Sequence, residues 1–163
     1  MSEAAKAEFY YKSSDSPRPN RPIGVGVLAL IERDGALLLE RRSDCRRWGL
    51  IGGGVNVEES LEDALRREVR EETSLVVVSQ KLYGVLSDPS RIVSYPDGNV
   101  VRLLAFVYRT EVEGFETLRC SEESEELRFF GPEELPELDV IETARPILDS
   151  YLSRDSQRGI LLD

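Results

Sequence analysis

The sequence predicts an α/β fold in which a mixed β-sheet is covered by helices on both faces. Three observations carry that expectation. Runs rich in valine, leucine and isoleucine recur along the chain, and Asp-Gly, Pro and Gly turn signals separate them. Between two of these runs, residues 60–73 contain no glycine or proline and consist mostly of good helix formers.

Residues 1–22 are polar and proline-bearing (SSDSPRPNRP) and are expected to form a mobile arm. Residues 23–31 (IGVGVLALI) read as a buried strand. The Asp34-Gly35 turn and the return strand ALLLERR at 36–42 complete a hairpin. After a polar loop at 43–47, residues 48–51 form a short strand before the glycines at 52, 53 and 54. The helix at 60–73 follows, then strands at 75–86 and 100–110 joined by a long loop. ELRFFG at 126–131 is a last short strand, ended by Gly131-Pro132. Apolar spacing at Ala144, Ile147, Leu148, Tyr151 and Leu152 predicts a terminal helix over 143–152, interrupted early by Pro146. One domain over 23–152 and a tail at 153–163 complete the division, because 163 residues close one substantial core and little more.

Composition excludes several functions. The net charge of −10 argues against long nucleic acids and against anionic membrane surfaces, both of which need basic residues. It leaves room for a small phosphate ligand, since bound divalent cations reverse a local field. The chain has no histidine, and its two cysteines, Cys45 and Cys120, form no motif. That removes most zinc sites, the Ser-His-Asp and Cys-His nucleophiles and any histidine base. The start carries no signal-peptide core and no apolar run is long enough to span a bilayer, so a reducing cytoplasm is the expected compartment.

The helix at 60–73 concentrates the chemistry. On a wheel of about 100° per residue, Leu61, Ala64, Leu65 and Val69 form one stripe around Glu68. Glu72 then falls near +40° and Glu71 near −60° from Glu68, so the acids extend the buried stripe. Glu62, Asp63, Arg66, Arg67 and Arg70 cover the opposite half. Three inward carboxylates repel one another, lose water and sit at the end of the helix where the macrodipole disfavours them. A hard divalent cation such as Mg²⁺ or Mn²⁺ relieves all three penalties. The same residues also suit a solvated helix with Arg67 paired to Glu71 or Asp63, and position alone leaves both readings open.

The segment 53–75 resembles the Nudix box, G-x5-E-x7-R-E-U-x-E-E-x-G-U, where U is a bulky aliphatic residue. Gly53, Glu59, Arg67, Glu68, Val69, Glu71, Glu72 and Leu75 fit it, and Ser74 replaces its last glycine. The resemblance covers about residues 21–152. Ile51, Asn56 and Glu58 stand where proline, glutamate and glycine are commoner. The resemblance implies a Nudix-type α/β/α sandwich with a mixed β-sheet and a pyrophosphohydrolase that cleaves a nucleoside diphosphate linked to another moiety. ADP-ribose or a sugar nucleotide is the favoured substrate type and a nucleoside triphosphate the next; a nucleotide sensor that does not cleave is the alternative. Carried over by position, Glu68, Glu71, Glu72 and the Gly52 carbonyl hold Mg²⁺ or Mn²⁺, while Glu59 and Arg67 orient them. The candidates for the base are Glu68, Glu123 and Glu126. Arg42, at a strand end, is either a phosphate contact, as the family often has there, or a surface residue. Trp48, Tyr83, Tyr95 and Phe129 are expected mostly in the core, as aromatics in a domain this small usually are, with base stacking as the alternative for each. Pro89 lies near where ADP-ribose-cleaving members tend to carry a proline. Many members of that family are dimers, so a homodimer is possible, but the sequence marks no interface.

Overall fold

The computed structural model describes residues 6–154 and 159–163. In chain order the elements are β1 (Glu8–Tyr10), β2 (Gly24–Leu30), β3 (Glu32–Arg33), β4 (Ala36–Arg42), β5 (Trp48–Gly49) and β6 (Ile51–Gly54). Then come α1 (Leu61–Thr73), β7 (Val76–Leu86), β8 (Ile92–Ser94), β9 (Val100–Glu113), β10 (Ser124–Phe130) and α2 (Arg145–Ser153).

The larger sheet has the order β1-β8-β9-β2-β6, and the 14-residue β9 also pairs with β7. The β2–β9 pair is parallel and the others are antiparallel, which makes the sheet mixed. A second sheet runs β10-β4-β3, with β5 also on β4. Side chains on a strand alternate between its faces, and that alternation builds the layers. Val27, Ala29 and Ile31 join Leu38 against Ala64, Leu65 and Val69 of α1. Leu30, Leu37 and Leu39 face the other way, against Ile147 and Leu148 of α2. One helix therefore closes each face, and the α/β/α sandwich follows.

Several expectations change. The stretch expected as a mobile arm contributes β1, because Glu8, Phe9 and Tyr10 add to the free edge of β8; residues 1–5 of that arm lie outside the described residues. β8 itself lies within what reads as a loop. The short strand at 48–51 is two strands, with the three glycines inside β6. Pro146 does not interrupt α2 but sits in its first turn, where the missing N–H has no helical partner to lose. In the tail, 155–158 lie outside the described residues, while 159–163 run beside β7: Val85 exchanges backbone hydrogen bonds with Ile160 and Leu162. Among the described residues no helix is long and apolar enough to cross a membrane.

Helix α1 begins at Ser60, whose side chain accepts from the Asp63 N–H while the Asp63 carboxylate accepts from the Ser60 N–H. It ends at Ser74, at φ 64°, a left-handed cap that suits glycine better. Ser74→Gly is expected to stabilise the fold by about 1 kcal/mol, less a few tenths for the lost contact from Arg119, and a urea midpoint reads the change.

Candidate active site

Helix α1 lies on β6, and the glycines of β6 allow the close approach. Gly52 has φ 145°, and a Cβ there would stand 2.0 Å from the Val27 carbonyl oxygen. A Cβ on Gly53 would stand 2.7 Å from the Glu68 carboxylate. Without side chains at 52 and 53, the acids of α1 can press against the backbone of β6. The Gly52 N–H donates to the Glu72 carboxylate at 2.8 Å.

Glu72 is 5% exposed. The Glu68 side chain is 13% exposed. Burial, and then the Glu40 and Glu68 carboxylates, push Glu72 well above the ordinary carboxylate range. Burial raises Glu68 too, against the pull of Arg67. The Glu71 side chain is 59% exposed, which corrects the expectation of three inward acids: at −60° on the wheel it lies at the rim of the stripe and turns to water. Among the described residues, no three acidic side chains converge on one point as a ready-made cation cage. Glu71 nevertheless borders the same cleft, about 460 Å³ in volume, together with Glu68, Glu72 and Glu123.

Arg67 is the second correction. The wheel put it on the solvated face, yet its guanidinium spans the site. It donates to both oxygens of Glu59, to Glu68 at 2.6 Å, to Glu71 at 3.2 Å and to the Gly54 carbonyl at 2.9 Å. Five donors in a planar fork explain how one side chain ties helix, loop and strand together. Arg67, followed by the Asn56 N–H, holds the Glu59 carboxyl down at about 2. The unusual Asn56 thus fixes the loop through its backbone, and the unusual Ile51 is buried in the core beneath α1.

Glu123 borders the cleft, whereas Glu126 is exposed on β10 and is not among the residues that line it. Arg42 is already engaged: its guanidinium grips Asp44 at 3.0 and 2.6 Å and lies 3.7 Å from Glu40. Of the four aromatics, Trp48 and Tyr83 pack in the core on the α2 side and Phe129 packs on the α1 side. Only Tyr95 lines a cavity near the glycines, and Pro89 is exposed. That cavity, about 260 Å³, shares Gly52, Gly53, Gly54 and Arg42 with the acidic site and is otherwise largely apolar.

Sequence reasoning missed Glu40, which is 2% exposed. Burial pushes it above the usual range, although the Ser124 hydroxyl donates to it at 2.5 Å. Alternation offered the clue, because Glu40 shares the face of Leu38, which packs under α1. It missed Phe9 and Arg91 as well, which also line the smaller cavity.

The donor set of the site is all oxygen, and its buried carboxylates exceed the cations beside them; both features fit a hard divalent cation. The electrostatics set a pH dependence. Glu40, Glu68 and Glu72 titrate above the ordinary glutamate value of 4.5, so they hold protons in the folded chain that the unfolded chain has released. Their contribution to stability is full below pH 4.5 and is lost as pH rises through the raised values. In EDTA, the urea midpoint is therefore expected to fall as pH rises from 4.5. Stabilisation by Mg²⁺ should grow over the same range, because the cation competes with the protons.

A family model described as the NUDIX domain matches residues 20–151. The nucleoside triphosphatase NudI of Escherichia fergusonii is 33% identical over 129 residues, spanning 75% of this chain and 92% of that protein. The MutT NUDIX hydrolase of Burkholderia pseudomallei superposes with a TM-score of 0.64 at 30% identity, covering 80% of this chain and 98% of that one. An ADP-ribose pyrophosphatase from Streptococcus suis superposes with a TM-score of 0.64 at 24% identity, covering 83% and 96%, and shares the fold. With the box residues gathered on α1 and β6 and the match running through nearly the whole folded region, the chain belongs to the Nudix family.

Proposed function

We propose that this chain hydrolyses a phosphoanhydride bond of a nucleoside triphosphate in a reaction that requires a divalent cation. One observation supports it above the rest: Glu68 and Glu72 lie buried against the glycine strand at the wall of an open cleft, and Arg67, which pairs Glu68, is shared with Glu59 and Glu71. Glu68, Glu71, Glu72 and the Gly52 carbonyl would hold Mg²⁺ or Mn²⁺, which when bound neutralises the phosphates and makes water more acidic.

The chain's own residues do the rest. Arg67 and Glu59 hold Glu68 at its place, and the Gly52 N–H fixes one oxygen of Glu72. Glu123 borders the cleft from the loop before β10, where its exposed carboxylate can take the proton of an attacking water. Arg42 lines the smaller cavity and lies 3.7 Å from Glu40, where an entering phosphate would compete with Asp44 for its fork.

A nucleoside triphosphate is preferred to ADP-ribose because the curated relative at 33% identity is named a nucleoside triphosphatase. A sensor that binds without cleaving is the second reading, favoured by the outward Glu71. Phosphate and pyrophosphate release from a panel of nucleoside triphosphates, ADP-ribose and sugar nucleotides decides between them, run with Mg²⁺, Mn²⁺ or EDTA. Turnover with either metal and none in EDTA is expected. No turnover on any member would leave the sensor.

A further inference from the structure

Arg91, just before β8, is 2% exposed and lines the smaller cavity. Its Nη1 donates to the Thr143 carbonyl at 2.8 Å. Its Nε–H is buried and, among the described residues, has no acceptor. Burial pushes its pKa down, with only longer-range attraction from groups such as Asp163, Tyr11 and Asp88 to offset the loss of water. Folded proteins seldom leave such a donor without a partner, since the desolvation of a charged group is then uncompensated. A cavity wall is the place where a ligand can provide the acceptor.

The rest of the cavity restricts what that ligand is. Phe9 and Tyr95 supply aromatic surface, and Leu28, Val101 and Leu103 supply apolar surface. Its lining also includes Gly52, Gly53 and Gly54, the strand against which Glu68 and Glu72 lie. A nucleotide with its phosphates among the acids would thus place its base beside Arg91. A guanidinium only donates. It matches a base edge that presents acceptors, such as O6 and N7 of guanine or a carbonyl of uracil or thymine. Adenine sets an exocyclic amino group next to N1 and next to N7, so its edges oppose donor to donor.

We propose that Arg91 is a specificity-determining residue: its unpaired Nε–H donates to a ring carbonyl of the nucleobase, so this site selects guanine, uracil or thymine over adenine. The inference rests on the nucleotide reading above. It also predicts that ATP and ADP-ribose are poor substrates.

Two measurements test it separately from catalysis. In the first, wild-type protein in EDTA is titrated with GMP, UMP and AMP by calorimetry. GMP or UMP is expected to bind about 10- to 100-fold more tightly than AMP, the worth of one hydrogen bond from a charged donor. Equal affinities, or tighter AMP, would overturn the proposal whether or not the protein is an enzyme. In the second, kcat/KM is compared for GTP, UTP and ATP in the wild type, Arg91→Lys and Arg91→Gln. The preference should shrink with Lys, which lacks the fork, and vanish or reverse with Gln, which suits adenine, mainly through KM. A uniform loss with the ratio unchanged would make Arg91 merely structural. If both variants fail to fold, the wild-type binding order still decides. If no nucleotide turns over while GMP binds selectively, the hydrolase reading fails and this one stands.

Discussion

Glu72→Gln is expected to lower kcat by about 10³-fold if Glu72 holds the cation as proposed, because it removes a charged ligand that would be worth several kcal/mol at the transition state. The amide keeps the shape of the side chain, and its oxygen can still accept the Gly52 N–H, so the fold should persist. Stability without metal should rise, since a buried carboxylate beside Glu40 and Glu68 is replaced by a neutral group. Stabilisation by Mg²⁺ should fall: a 100-fold weaker affinity removes up to about 2.7 kcal/mol at saturating metal. Opposite movements of the metal-free and metal-bound melting temperatures distinguish this from ordinary damage. A kcat within threefold of wild type would remove Glu72 from the site.

What was legible in the sequence, and what was not, follows from the range of the interactions. Helix α1 could be read closely because its helix formers, its stripe and its acids are all local, and the hairpin at Asp34-Gly35 is local too. Glu72 and Glu68 lie near the centre of the stripe and came out buried; Glu71 lies at its rim, where rotation of a side chain decides. Arg67 lies on the far half of the wheel, but a long side chain can curl back, and wheels do not measure reach.

β1 and β8 were not legible because each has three residues and exists through pairing with a distant partner. That pairing brings Phe9 to the smaller cavity and places Arg91 beside it. An arginine in a polar loop reads as solvated, and only the assembled strands reveal that this one is enclosed. Glu40 is intermediate: alternation places it on the face of Leu38, but nothing local shows that Glu72 comes near it there.

The two neighbouring glycines of β6 offer the sharpest separation of fold from chemistry. At Gly53 the backbone is not in the left-handed region, so alanine is conformationally acceptable. Its Cβ, however, would stand 2.7 Å from Cδ and both oxygens of Glu68. Those atoms are the far end of a flexible side chain, so the clash resolves by rotating the carboxylate away rather than by moving the strand. Gly53→Ala should therefore cost only about 1–2 kcal/mol of stability yet lower kcat by about 10²-fold, as a misplaced group at a reacting centre does. At Gly52 the obstacle is backbone, 2.0 Å from the Val27 oxygen at φ 145°, and neither strand can yield without breaking the β2–β6 pair. Gly52→Ala should destabilise the fold by more than about 4 kcal/mol, among the largest effects of single substitutions. Urea melts and turnover measured together on the two variants test this. If Gly53→Ala kept full activity, Glu68 could not be working from where it lies, and the placement of the acids against β6 would lose its catalytic meaning.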